Sequence, residues 1–154
     1  MAILIDTNIF LRSVQPSDPL NSVALAALKV LGQRSDPLSV VPQNIVEFWT
    51  VATRPRANNG LGLSTVQTKN EIETILNTFH LFPESAEIFD EWKKLVVSYA
   101  VSGRDTHDAR IVAAMNVHGI KSVLTFDEED FKRYKNIITV LTPPAVTSQA
   151  SMGT

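Results

Sequence analysis

Short apolar runs alternate along this chain with stretches whose apolar residues recur at helical spacing. Ala2 to Ile5 is continuously apolar and stops at Asp6-Thr7-Asn8, the pattern of a strand buried on both faces. A helix is expected over Thr7 to Val14, with Asp6 or Thr7 near its cap and Pro16 as its stop. Ser17-Asp18-Pro19 predicts a second helix start, a capping side chain followed by proline at the first helical position. Leu20, Val23, Ala24, Ala27, Leu28 and Leu31 then hold a helical period to Gly32. Leu38 to Val41 is the next strand, closed by Pro42. A helix from about Gln43 to Thr53 carries Ile45, Phe48, Trp49 and Ala52 on one stripe.

Arg54 to Gly60 is loop by composition, and Ser64 caps a helix reaching about Thr78. Phe79 to Phe82 is a short strand. Pro83-Glu84 opens a helix to about Val101, and Thr106 to His118 is helical, with Ile111, Val112 and Met115 inward and Gly119 as its stop. Lys121 to Phe126 and Ile137 to Leu141 complete the strands. Strands alternating with helices predict an α/β sandwich with a mainly parallel sheet, whose sites lie at the carboxyl ends of the strands. A single domain is expected over residues 1–143. Pro143-Pro144 and the small polar residues after it predict a disordered tail over 144–154.

The length of 154 residues suits one domain, and the absence of cysteine excludes disulfides, thiolate metal sites and a cysteine nucleophile. No apolar stretch is long enough for a membrane span and the first residues carry no basic region, so a cytoplasmic protein without a membrane partner is expected. A net charge of −2 provides no global basic field for nucleic acid, so local patches or bound metal would have to supply the attraction.

The acids carry the chemistry. Asp6 closes the first strand, Asp105 and Asp108 open a later helix, and Asp127 and Asp130 follow the strand that this helix feeds. In a parallel sheet these residues, distant in sequence, converge on one edge. Clustered carboxylates need a counter-charge, and a hard divalent cation on oxygen ligands provides it and promotes phosphate chemistry. Each acid also has a plainer role: Asp6 as a turn former or cap, Asp108 as a complement to a helix N-terminus, and the Asp127 to Asp130 run as a solvated turn. On a helical wheel Glu47 lies away from the apolar stripe, so periodicity predicts exposure.

Three segments in order resemble the PIN-domain ribonucleases, in particular the VapC-type toxins of type II toxin–antitoxin pairs. They are Ile3-Leu4-Ile5-Asp6-Thr7-Asn8-Ile9-Phe10-Leu11, His107-Asp108-Ala109-Arg110-Ile111-Val112-Ala113-Ala114 and Thr125-Phe126-Asp127-Glu128-Glu129-Asp130-Phe131. The resemblance runs over about residues 2–143. It implies a PIN-like three-layer sandwich and a metal-dependent endoribonuclease using Mg²⁺ or Mn²⁺. It makes Asp6, Glu47, Asp108 and Asp127 the catalytic and metal-binding acids, with Asp130 as support or substitute for Asp127. Glu47 enters the site through Asn44-Ile45-Val46-Glu47-Phe48, against the wheel. Thr7 or Asn8 would orient Asp6, and Thr125 would contact the metal site.

Arg12, Arg54, Arg56 and Arg104 are candidate RNA contacts because each lies close in sequence to an acidic motif; Arg110, Lys132, Arg133 and Lys135 share that placement. His107 is read as structural or at the substrate rim, and His80 and His118 as structural. The implied partners are an RNA substrate, a VapB-like antitoxin and a second copy in a homodimer. Two alternatives compete. One is a PIN-fold binding module without catalysis, which retention of all the acids disfavours. The other is a haloacid-dehalogenase-type phosphatase, which would need an acid where Asn8 stands.

Overall fold

The computed structural model describes residues 1–152. Five strands form one sheet: β1 (Ile3–Ile5), β2 (Leu38–Val40), β3 (His80–Leu81), β4 (Ser122–Leu124) and β5 (Thr139–Leu141). Their spatial order is β3-β2-β1-β4-β5 and every pairing is parallel, with Ile3 facing Leu38 on one side and Ser122 on the other. Among the described residues eight α-helices accompany them: α1 (Thr7–Ser13), α2 (Asn21–Gly32), α3 (Pro42–Thr53), α4 (Thr65–Thr78), α5 (Ala86–Ser98), α6 (Asp105–His118), α7 (Glu128–Phe131) and, after the last strand, α8 (Pro143–Met152).

The strand period of two divides the core into two layers. Leu4 and Val123 face a cluster built with Ile88, Leu95, Ile111, Met115 and Tyr134, which belongs to α5, α6 and the turn after α7. Ile3, Ile5 and Leu124 face the opposite cluster, with Ile9, Phe10, Ala27, Leu31, Phe48 and Ile75 of α1 to α4. The result is the expected α/β sandwich of three layers. Helix α6 buries Ala109, Val112, Ala113 and Ala114 along with its larger residues, and such small side chains let α5 approach it closely. Trp92 ties the pair by donating from Nε1 to the Thr106 carbonyl at 2.9 Å. No helix among the described residues is long and apolar enough to cross a membrane.

Four local expectations need correction. Helix α2 begins at Asn21, not Pro19, because Asp18 turns its carboxylate to the Leu20 N–H at 2.8 Å and to Arg12, and the turn ends there instead of opening a helix. Helix α5 starts at Ala86, after Phe82 has paired with the Val40 carbonyl, and stops at Ser98; Ala100 at φ 50° and the Val101 N–H on the Val96 carbonyl close it. Trp49 does not join Phe48 and Ala52 in the core but stays 37% exposed, and Asn44 takes the buried place on that face. Finally, the expected disordered tail is a helix through Met152. Two prolines in a first turn forgo no intrahelical hydrogen bond, and Val146 seats in the core while α8 packs on α2. Gly153 and Thr154 lie outside the described residues.

Candidate active site

The carboxyl ends of β1 and β4 lie side by side, and the backbone locks them there: the Asp6 N–H donates to the Leu124 carbonyl at 3.0 Å. Asp6 is the N-cap of α1 and is 8% exposed. Its Oδ1 accepts from the Thr7 N–H at 2.8 Å, and its Oδ2 accepts from Thr125 Oγ1 at 2.8 Å and Asn8 Nδ2 at 3.2 Å. The Thr125 hydroxyl is wholly committed. It donates to Asp6 and accepts from the Asp127 N–H and from Asn8 Nδ2, both at 3.0 Å. Asn8 also reaches Asp127 Oδ2 at 3.0 Å, and its Oδ1 accepts from the Phe126 N–H at 3.1 Å. Two segments more than a hundred residues apart are thereby fastened into one corner around Asp6.

Glu47 arrives from α3. Thr7 Oγ1 donates to its Oε2 at 3.1 Å, and Gln43 Nε2 to its Oε1 at 2.9 Å. The same Gln43 nitrogen donates to the His107 carbonyl at 2.8 Å, and Arg110 Nη1 approaches Gln43 Oε1 at 3.3 Å. Gln43 therefore bridges the helix of Glu47 to the first turn of the helix of Asp108. Asn44 reaches back to the Val41 N–H at 2.9 Å, fixing the start of α3 beside Thr7. Periodicity marks Gln43 and Asn44 only as polar residues near a helix start, and neither stands out as a site residue in the sequence. Glu47 itself is half-buried, not exposed, because its side of α3 borders the sheet edge instead of open solvent.

Asp108 lies in the first turn of α6. Burial pushes its carboxyl up to about 7, and the charges of Asp130, Asp6, Glu47 and Asp105 add to the shift. Burial likewise raises Asp6 to about 6, against its hydrogen bonds from Thr125 and Thr7, and Glu47 and Asp127 contribute. Asp130 is also raised, by burial first and then by Asp127 and Asp105. Asp127 thus belongs to the corner of Asp6, whereas Asp130 exerts the largest charge influence on Asp108. Among the described residues no group of three or more His, Asp or Glu side chains forms a ready metal-binding cluster. The donor set still fits a hard divalent cation. It is all oxygen, it is partly buried, and its members repel one another.

The basic candidates differ among themselves. Arg12 pairs with Asp18 at 2.8 Å. Arg54 and His107 share a recess of about 520 Å³ with Glu47. Arg104 precedes α6 and lowers the Asp130 carboxyl against the acids that raise it. Arg56 is exposed and lays its stem near Gly62. Arg110 joins Gln43 to Glu84, and Arg133 pairs with Asp105 at 3.2 Å, so these two brace the framework. Lys132 and Lys135 border a separate cavity with Glu128 and Glu129. His118 meets the Pro83 carbonyl at 2.8 Å and, with His80, packs against Phe82.

The family model of the PIN domain matches the chain over residues 3–137, and the chain belongs to that family. Among solved structures it is similar to the VapBC2 complex of Rickettsia felis bound to a DNA fragment from their promoter. That match has 14% identity and a TM-score of 0.70 over 92% of this chain and 98% of that one. A toxin–antitoxin complex from Klebsiella pneumoniae is 21% identical, with a TM-score of 0.63 over 92% and 98%. VapC20 of Mycobacterium tuberculosis, a sarcin–ricin loop cleaving toxin, is 14% identical, with a TM-score of 0.63 over 85% and 94%. At these identities the likeness is one of fold. No curated protein matches the sequence.

Proposed function

We propose that this PIN-domain protein is a divalent-metal-dependent endoribonuclease and the toxin of a VapBC-type toxin–antitoxin pair. The observation that carries the reading is the buried Asp6 corner, held by Thr7, Asn8 and Thr125, with Glu47 and Asp108 brought to the same sheet edge. Membership of the PIN family and the fold shared with a sarcin–ricin loop cleaving toxin support it.

In this reading Asp6 and Asp108 would hold Mg²⁺ or Mn²⁺, with Glu47 and Asp127 completing the set and Asp130 able to substitute. Such an ion would supply Lewis acidity toward water and a counter-charge for a phosphodiester. The protein's own part is orientation. Thr125 and the Thr7 N–H aim both oxygens of Asp6, Asn8 fixes Asp127 relative to Asp6, and Gln43 fixes Glu47 relative to α6. In this reading Arg54, which shares a recess with Glu47, and Arg104, which acts on Asp130, would receive RNA phosphates.

The partners follow the same reading. Ile45, Val46, Trp49 and Ile72 line an apolar recess between α3 and α4, suited to a helix of a VapB-like antitoxin. The exposed Phe89 and Val97 of α5 suit a second copy in a homodimer. Toxin–antitoxin complexes among the similar folds support the antitoxin.

The test is cleavage of end-labelled RNA with Mg²⁺, Mn²⁺ or EDTA, beside Asp6→Asn and Asp108→Asn. Discrete fragments that vanish with EDTA and in both variants are expected. Cleavage that survives both substitutions in folded protein would remove the mechanism.

A further inference from the structure

Next to the acidic corner, between α1 and the loop joining α3 to α4, opens a cavity of about 360 Å³. Asn8 belongs to both: it ties Asp6 to Asp127 and also lines the cavity. The walls combine four kinds of chemistry. Leu11, Val51 and Leu61 supply apolar surface, Asn8, Gln15 and Asn59 supply carboxamides, Arg12 supplies a guanidinium, and Asp18 supplies the carboxylate paired with it. Neither the Gln15 nor the Asn59 carboxamide has a hydrogen-bond partner among the described residues, Gln15 being half-buried and Asn59 exposed, whereas the Asn8 carboxamide of the same cavity is engaged at both ends. Arg12 is held by Asp18 through one terminal nitrogen, and Asp18 is itself anchored on the Leu20 N–H, so the guanidinium is set in place with its other donors unspent.

The loop on the far side is built to come this close. A side chain at Gly60 would meet the Arg54 carbonyl at 2.0 Å, so only glycine allows the turn, and Asn59 adopts φ 62° beside it. The volume is near the lower end for small-ligand sites, too small for a helix and sufficient for a nucleotide. A carboxamide presents a donor and an acceptor side by side, which pairs with the N6 and N7 edge of adenine, and RNA is read by sequence mainly through unstacked bases of this sort.

We propose that this cavity takes one unpaired nucleotide of the RNA strand flanking the scissile phosphate, with adenine as the preferred base. Gln15 and Asn59 read the base edge, the three apolar side chains cover its face, and Arg12 meets its phosphate. The proposal rests on the ribonuclease reading above and names the specificity element of that site.

Two arms test it with the whole protein and the double variant Gln15→Ala/Asn59→Gly, in which glycine keeps the left-handed turn. In the first, AMP, GMP, CMP and UMP are titrated in EDTA and followed by NMR. Wild type should bind AMP about tenfold more tightly than UMP, and the double variant, with an unchanged melting temperature, should bind all four alike. In the second, cleavage ends are mapped on a random RNA pool. Wild-type cuts should be enriched for adenine at one flanking position, and that enrichment should disappear in the variant while cutting persists. Equal affinity for the four nucleotides in wild type, or the same preference in the variant, overturns the pocket. Cleavage without base enrichment overturns it and leaves the ribonuclease reading intact; AMP preference without any metal-dependent cleavage removes the ribonuclease reading instead.

Discussion

Asp6 and Asp108 occupy one sheet edge, and both carboxyls titrate above the ordinary range, yet the protein holds them in opposite ways. Asp6 is the more enclosed, and its oxygens receive the Thr7 N–H, the Thr125 hydroxyl and the Asn8 amide. Asp108 receives no hydrogen bond from the described residues and faces Asp130, Asp6, Glu47 and Asp105. The deeper group nevertheless has the lower value, about 6 against about 7, because donors aimed at a carboxylate offset part of its desolvation. The protein supports the charged form of Asp6 with aimed donors and gives Asp108 none, so the charge on Asp108 is left for an external cation to offset.

The largest effect separates the two by stability instead of activity. Asp6→Asn and Asp108→Asn should each lower RNA cleavage at least about 100-fold, the upper range for loss of a group that supports a metal. In EDTA at pH 8 their melting temperatures should diverge. Asp108→Asn removes a repelled charge at the cost of no hydrogen bond and should melt higher than wild type. Asp6→Asn must turn an NH₂ group toward donors that now point at a carboxylate, so it should gain nothing. Equal stabilisation of both would show that the hydrogen bonds around Asp6 contribute little.

Thr125 tests the prepared corner directly. Thr125→Ala removes one donor to Asp6 and the acceptor for two N–H groups at a fully buried position, costing on the order of 1–3 kcal/mol. Cleavage should fall about 10- to 100-fold, with the acidic limb of its pH profile displaced upward because Asp6 loses a bond that lowers its pKa. Thr125→Ser keeps the hydroxyl and should recover most of the rate. Failure of serine to rescue would assign the loss to packing.

How much of this contrast was legible in the sequence follows from what each residue faces. Asp6 ends one apolar run and Asp127 follows another, and a parallel sheet puts such residues at one edge, so strand pattern brought them together, whereas Thr125 entered only through the family resemblance. The helix of Asp108 was visible from its apolar period. Glu47 was not, since a helical wheel distinguishes core from solvent and has no category for a helix flank that borders a sheet edge. Gln43 was invisible for the same reason: its role depends on α3 lying against the start of α6, a contact between segments 64 residues apart. The last helix escaped because small and polar residues after two prolines have no evident apolar face, yet one buried valine and the small residues of α2 suffice to seat it.

Gln43 gives an intermediate effect between the two acids, since it restrains Glu47 by way of the helix that carries Asp108. Gln43→Ala should reduce cleavage about tenfold and weaken Mn²⁺ binding, with little change in melting temperature. Gln43→Glu keeps the shape but sets a carboxylate against Glu47 and the His107 carbonyl, and should be the worse of the two. Identical behaviour of the two variants would mean that Gln43 fills space and does not orient Glu47.

The smallest expected effect is a pH dependence of the metal-free protein, and its sign runs against the usual behaviour of salt-bridged carboxylates. Asp6 and Asp108 have folded-state values of about 6 and about 7, above the 3.8 of an ordinary aspartate. Between those limits the folded chain binds more protons than the unfolded chain, so stability falls as pH rises through the window from about 4 to 7 and stays low above it. In EDTA the melting temperature should therefore be a few degrees lower at pH 8 than at pH 5.5, with Asp108→Asn flattening more of the slope than Asp6→Asn. Mn²⁺ should reverse the trend. A cation binds the deprotonated acids, so it should raise the melting temperature more at pH 8 than at pH 5.5. A melting temperature in EDTA that rises over that interval would mean that the two carboxyls are not raised in the metal-free fold, and the contrast between a hydrogen-bonded and an unsupported carboxylate would fail with it.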